Sequence, residues 1–417
     1  MSIAAYIPRI ADRLLADDLA SWPAVIVTGP RAVGKTTTAI RHAASALRLD
    51  RPAQRGLALD DPDAAVSIGP FPLLLDEWQH VPEVLGAVKR AVDQDRAEPQ
   101  RYIITGSARG DLIAGSWPGT GRFLSIELWP LTGRERFGNA EAPSLFDRWE
   151  TEHRFSVPPQ PPGILDYLQI ALTGGFPDAV EAPNQRRRER WMRGYVESTA
   201  SRDLGELAIG SGRRRSPERL TRYLQVLALH SAGVVADAAL AEATKLDVRT
   251  ARGYHDILRT LRLVVDVPAW RTNRLKRLVA TPKRYLADSG LAGWLARVDE
   301  VAIQHDADAR GRILDTYVAA QLRSEAEAAQ DAVHLHHLRT HRGEHEIDLI
   351  AEFGSRVAAF EVKSGSAPTQ KDARHLAWLR DQLPRDRFAG GVVFHTGPQR
   401  YGLGQGIEAV PICGLWG

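Results

Sequence analysis

Two glycines, a lysine and a threonine stand at a spacing that can grip a phosphate chain. In VIVTGPRAVGKTT, Gly29 and Gly34 bracket the loop residues Pro30, Arg31, Ala32 and Val33, and Lys35, Thr36 and Thr37 follow. The run comes after an apolar stretch and opens a helical one, the context that a P-loop requires. Backbone N–H groups would wrap the phosphates, and the helix N-terminus would add its dipole. Lys35 would reach the outer phosphates and Thr36 would ligate Mg²⁺. About forty residues on, PLLLDEWQH ends an apolar run in Asp76 and Glu77. Ligands of open α/β sheets sit at the C-terminal ends of strands. There Asp76 would hold Mg²⁺ and Glu77 would orient and deprotonate an attacking water, which is NTP hydrolysis. The next apolar run, YIITGSAR, ends in Thr105 and Ser107, candidates for sensing the outer phosphate or positioning the water. Arg109 and Arg122 are candidates for the cation that stabilises transition-state charge.

A second set lies near the end of the chain. EIDLIAEFGSRVAAFEVKSG reads as a β-hairpin, two apolar runs joined by a glycine-containing loop. Asp348 lies on its first strand. Glu361 and Lys363, two apart on the second, share a face, while Val362 points to the other. Carboxylates converging across a hairpin can bind Mg²⁺, and a lysine beside them can activate a metal-bound water, the chemistry of phosphodiester cleavage. The spacing resembles the PD-(D/E)XK nuclease core, which usually adds an acid from a preceding helix. Asp315, in GRILDTYVAAQL, is the candidate for that acid, one methylene shorter than a glutamate. Cleavage and a decayed or binding-only site are both open. His334, His336, His337, His341 and His345 read as surface residues of a half-exposed strand rather than a zinc site.

These residues need scaffolds. From Pro23 to about Arg136, short apolar runs alternate with amphipathic stretches, as in a parallel sheet with helical crossovers. The expected strands are Ala24 to Thr28, Leu57 to Leu59, Leu73 to Asp76, Tyr102 to Thr105 and Phe123 to Leu128, with helices after Lys35 and Val81. Four prolines in SVPPQPPG mark Phe155 to Gly163 as a linker or exposed loop. Helical periodicity then dominates to about Val301. Within it, a helix, a turn, a helix at Ala236 to Ala243 and LDVRTARGYHDILRTL read as a winged helix. Val248, Ala251, Tyr254, Leu258 and Leu261 form one buried face, with Arg249, Arg252 and Arg259 outward. Those arginines, and the basic wing carrying Arg271, Arg274, Lys276, Arg277 and Lys283, can meet nucleic-acid phosphates or stand solvated. From Gly311 a small α/β domain follows. The expected division is 1–150, 164–305 and 306–417.

Further motifs extend the pattern: Gly121 and Arg122, PLTGRE at Pro130 to Glu135, GGFP at Gly174 to Pro177, and RDL at Arg202 to Leu204. With GPRxxGKT, LLLDExQ and ITGS, the chain resembles the prokaryotic AAA+ type P-loop ATPases whose C-terminal domain has no known function and is nuclease-like. It departs at Ala108, where that family usually has a second serine. The resemblance implies ATP as the nucleotide and an ASCE-type sheet, with the catalytic strand between the P-loop strand and its neighbour. Its fold class is α/β: a P-loop domain, a helical winged-helix-like region and a small restriction-endonuclease-like domain.

Composition narrows the remaining classes. The 417 residues, 44% of them hydrophobic, can bury two or three cores. The single cysteine excludes an internal disulfide and fits a reducing compartment, so a cytoplasmic location is expected. No apolar stretch approaches the roughly 20 residues of a membrane span. A net charge of +3 is a slight lean toward a polyanion partner. The arginine runs 186–188 and 213–215 read either as solvated faces or as phosphate contacts. Nucleic acid, DNA before RNA, is the expected partner. A homo-oligomer, a nucleotide-switched DNA-binding regulator and a protein-binding scaffold ATPase are the alternatives.

Overall fold

The computed structural model describes residues 6–94, 99–106, 121–151, 154–203, 216–270, 281–340 and 344–417. Ser107 and Arg109, Leu204, the arginines 213–215, Arg271 to Arg277 of the wing and His341 lie outside them. The chain divides into two compact units, residues 1–130 with 260–262, and residues 131–259 with 263–417.

Unit 1 is built on five parallel strands: β1 (Ala24–Thr28), β2 (Ser45–Arg48), β3 (Leu73–Asp76), β4 (Tyr102–Thr105) and β5 (Leu124–Glu127), in the order β2-β3-β4-β1-β5. Such a sheet is covered on both faces, which is why β3 and β4 are apolar without alternation and wholly buried. The Glu83–Gln94 helix turns Val84, Leu85, Ala87, Val88 and Val92 into the core beside Leu47, Leu75, Trp78 and Ile104. The strand inserted between β1 and β3 is β4; the carboxylate-bearing β3 lies one place further out.

One expected strand is wrong. Leu57 to Leu59 belong to the Pro52–Asp60 helix, with Leu57 and Leu59 45% and 56% exposed. Pro52 presets φ for a first helical turn, and three apolar residues are too few to define a strand. The missing strand is β2, whose Ser45 and Arg48 hid its two central apolar positions.

Unit 2 holds a helical part and a mixed sheet. The Pro217–Leu229 helix, β6 (Gly233–Val234), the Asp237–Thr244 and Val248–Thr260 helices, β7 (Val264–Val267) and β8 (Lys283–Leu286) follow one another, the three strands forming a sheet ordered β6-β8-β7. Ala251, Tyr254, Leu258 and Leu261 are buried, but Val248 is 39% exposed because it sits in the first helical turn. Arg252 pairs with Asp237 at 2.8 Å and Arg259 with Asp266 at 3.4 Å, so two of the three outward arginines have acidic partners.

The long Ala307–Glu327 helix, capped by Asp306 accepting from Ala309 N–H, precedes the strands β9 (Val333–Arg339), β10 (Glu346–Phe353), β11 (Arg356–Val362), β12 (Phe388–His395), β13 (Tyr401–Gly404) and β14 (Ile407–Pro411). The sheet order is β13-β14-β12-β11-β10-β9. Strands β9, β10 and β11 form an antiparallel meander, after which the Arg374–Gln382 helix crosses over so that β12 runs parallel to β11. Two corrections belong here. Phe155 is no exposed linker residue: it is 3% exposed and packs edge-on to Trp149 and Phe394. His336 and His337 are buried, and His337 Nε2 lies 3.1 Å from Thr281 O.

Candidate functional site

In unit 1 the loop after β1 turns on Gly29, at φ 141°, and Gly34, at φ 95°. A Cβ on Gly29 would stand 2.1 Å from the Leu128 carbonyl oxygen. That contact is with backbone, which cannot swing away. Gly29→Ala is therefore expected to weaken nucleotide binding at least about tenfold, the equivalent of ~1.4 kcal/mol. Titration with a fluorescent ATP analogue reads this directly, and unchanged affinity would remove the loop from the site. The Arg9 guanidinium steadies the loop from beneath, donating to Val33 O at 2.8 Å and Trp129 O at 2.5 Å.

Lys35 Nζ donates to Gly29 O at 3.1 Å and Pro30 O at 2.7 Å. Burial pushes this ammonium down to about 8, while Glu77 and Asp76 pull it upward. Two hydroxyls converge on one carboxylate oxygen: Thr36 Oγ1 at 2.7 Å and Thr105 Oγ1 at 2.5 Å from Asp76 Oδ1. Asp76 Oδ2 is buried with no hydrogen-bond donor and lies 3.5 Å from Arg48 Nε. A buried, under-satisfied oxygen beside a threonine hydroxyl is a donor set of the kind that suits Mg²⁺, a hard cation that prefers oxygen and keeps waters. Glu77 follows with its backbone in the left-handed region, φ 57° and ψ 46°, a conformation that costs a non-glycine residue about 1–2 kcal/mol. Gln79 Nε2 donates to its carboxylate.

Arg122 is not brought to this loop. β5 runs parallel to β1, with Leu124 opposite Val25, so Arg122 stands at the N-terminal end of the sheet. The P-loop leaves the other end, about 15 Å away at ~3.3 Å per strand residue. Arg122 Nε instead lies 2.8 Å from Asp93 Oδ1.

In unit 2 the sheet carries the second set. Ile347 pairs with Leu338 and Ile350 with His336, so Asp348 and Leu349 together oppose one residue of β9. This irregularity re-aims the Asp348 side chain, as a bulge does. Asp348 Oδ2 accepts from Val362 N–H at 3.0 Å. Glu361 and Lys363 are co-facial, with Lys363 Nζ 2.6 Å from Glu361 Oε1, and Glu361 Oε2 is buried with no hydrogen-bond donor. Asp315, on the long helix, is 7% exposed and faces the same place.

What joins the acids is a residue assigned above to a basic wing. Lys283 Nζ lies 2.6 Å from Asp315 Oδ2 and 2.8 Å from Asp348 Oδ1, with its side chain 3% exposed. Two residues along β8, and so on the same face, the Tyr285 hydroxyl donates to Asp315 Oδ1 at 3.0 Å. Burial raises the Asp315 and Glu361 carboxyls, to about 7 and about 8, with Lys283 and Lys363 respectively pulling down. Burial raises Asp348 too, but Lys283 outweighs it and the net direction is downward. Among the described residues, no group of three or more His, Cys, Asp or Glu side chains is arranged to hold a metal ion. Of the three acids expected as Mg²⁺ ligands, Asp315 and Asp348 are brought together around the Lys283 ammonium, and Glu361 pairs with Lys363. The cluster opens into a cleft of about 520 Å³ that Arg312, Lys363 and Arg374 also line.

Comparison with known proteins fits this geometry. Residues 21–137 match the AAA domain. The N-terminal part of the chain is a P-loop domain of AAA type. Residues 164–302 and 310–415 match two domains of unknown function, DUF8612 and DUF4143. Uncharacterized proteins of Mycobacterium bovis and Mycobacterium tuberculosis are each 28% identical over 394 residues, spanning 93% of this chain and 80% of theirs. Among solved structures, the Walker-type ATPase of Pyrococcus abyssi aligns at 18% identity with a TM-score of 0.38, covering 68% of this chain and 94% of that one. A Vibrio cholerae protein aligns at 12% identity and a TM-score of 0.20, covering 94% of this chain and 95% of its own. No described helix is long and apolar enough to cross a membrane.

Proposed function

We propose that the chain hydrolyses ATP at the P-loop of its AAA domain and uses the turnover to control a nucleic-acid-binding second unit. The observation that carries the first half is the convergence of Thr36 and Thr105 on Asp76 beside Lys35 and Glu77. Thr36 and Asp76 would hold Mg²⁺, which when bound neutralises charge on the phosphates. Lys35 leaves the loop carbonyls for the outer phosphates. Glu77 accepts the proton of a water that attacks the terminal phosphorus, as the P–O bond to the adjacent phosphate breaks and ADP departs.

Nucleic acid as the target rests on the winged-helix arrangement and on the helix, meander, helix and parallel strand of the C-terminal sheet, which support a nuclease-like fold. Of the alternatives, a nucleotide-switched protein with a silent nuclease-like domain is favoured over an active nuclease, and Lys283 is the reason. No cleavage step is derived through Asp315, Asp348, Glu361 or Lys363. The test offers purified protein labelled duplex and single-stranded DNA and RNA, with ATP and Mg²⁺ or Mn²⁺. Expected are phosphate release, binding that weakens steeply with added salt, and intact nucleic acid. Absence of phosphate release under every condition would end the ATPase reading, and salt-independent or absent binding would leave a protein-docking scaffold.

A further inference from the structure

Lys283 is no loosely placed surface lysine. β8 is the central strand of its sheet, with Lys283 paired to Val234 on one side and to Val267 on the other. The chain beyond β7 is stitched to the C-terminal sheet: Trp270 N–H donates to His337 O at 2.6 Å, and His337 N–H donates to Pro268 O at 3.0 Å. The strand that carries the ammonium is therefore paired on both sides, and the chain beyond its neighbour β7 is tied to the C-terminal sheet. Its three N–H donors meet three oxygens, Asp315 Oδ2, Asp348 Oδ1 and, at 3.5 Å, the Asp348 carbonyl.

We propose that Lys283, delivered by the winged-helix strand β8, is the built-in cation of the C-terminal carboxylate site and stands where a divalent metal would have to bind, keeping the site metal-free. A divalent ion needs several oxygens at close range, and here the oxygens of Asp315 and Asp348 that face each other are already spanned by an ammonium. To enter, the ion would have to leave that ammonium buried without a partner, a costly arrangement. Among the described carboxylate oxygens of this cluster, Glu361 Oε2 is the buried one with no hydrogen-bond donor, and one oxygen does not make a site. The winged-helix unit thus does more than sit beside the nuclease-like sheet: it supplies the counter-charge without which Asp315 and Asp348 would repel each other. Metal binding would require β8 to withdraw. The inference rests on the reading of Asp315, Asp348 and Glu361 as a nuclease-like acid set.

The experiment titrates Mn²⁺ into the full chain without nucleotide, following free Mn²⁺ by electron paramagnetic resonance. Wild type, Asp348→Asn, Lys283→Met and Lys283→Met with Asp315→Asn are compared, with thermal unfolding of each. The double variant removes one buried negative charge with the cation, so it stays folded where Lys283→Met alone fails. Wild type and Asp348→Asn should take up Mn²⁺ alike. A folded Lys283→Met protein, single or double, should gain a site at least about tenfold tighter than any in wild type, and Asp348→Asn added to it should abolish that site. Wild-type uptake that Asp348→Asn removes would overturn the inference and leave the acid set standing as a metal site. Folded Lys283→Met variants with no gain would overturn both.

Discussion

A Glu77→Gln protein should bind ATP as tightly as wild type and hydrolyse it about 10²–10³-fold more slowly, the usual worth of a general base. Gln is isosteric and keeps the left-handed backbone turn at residue 77, so the P-loop, Thr36 and Asp76 stay in place; only the ability to take the proton of water is lost. Lys35→Ala should differ in kind, removing the ammonium that contacts the outer phosphates and so losing binding as well as turnover. Equilibrium binding of labelled ATP together with steady-state phosphate release separates the two outcomes. Wild-type hydrolysis in both variants would show that the catalytic centre lies elsewhere. The interaction of Gln79 with Glu77 gives a reason for the glutamine two residues on in LLLDExQ: it aims the carboxylate that the strained backbone presents.

The second large effect is on stability. Arg134, in PLTGRE, is 1% exposed, and its Nε lies 3.1 Å from Oε1 of Glu325, 3% exposed, on the long helix. Arg134 Nη1 also donates to Pro143 O at 2.9 Å, and Glu325 Oε2 accepts from Leu145 N–H at 2.7 Å. Burial raises the Glu325 carboxyl, with Arg134 opposing. Arg134→Met would strand a carboxylate in the interior, so unit 2 should lose about 3–5 kcal/mol of unfolding free energy. Urea unfolding followed by tryptophan fluorescence measures it, and an unchanged midpoint would mean that the pair contributes nothing. Arg134→Met with Glu325→Leu should recover part of the loss, because no charge is then left unpaired.

The P-loop and β1, β3, β4 and β5 were legible because each is announced locally, by glycines at fixed spacing or by an apolar run ending in a polar residue. The β2 strand was not, since Ser45 and Arg48 frame only two apolar residues and Leu57 to Leu59 offered a stronger decoy. Asp348, Glu361 and Lys363 were readable as a hairpin for the same local reason. Lys283 was not, because its meaning comes from Asp315 and Asp348, 32 and 65 residues away; in the sequence it is one more cation in a basic stretch. Arg122 failed in the opposite way: motif proximity placed it near the loop, and strand direction puts it at the far end of the sheet. Arg9, which braces the P-loop from before β1, has no sequence signal at all beyond its charge.

The Arg134–Glu325 pair has a temporal side. During synthesis the five strands of unit 1 have all emerged by Glu127, so that sheet can close while most of the chain is still unmade. Arg134, Ser144 and Leu145 come out next, yet the helix segment that receives them ends at Glu327, and Arg148 bonds to Gly417. The stretch from Leu131 to Phe155, with its buried Trp149 and Phe146, must therefore wait on the ribosome for partners more than a hundred residues behind it. In a cell, that interval is when this protein would most depend on chaperones.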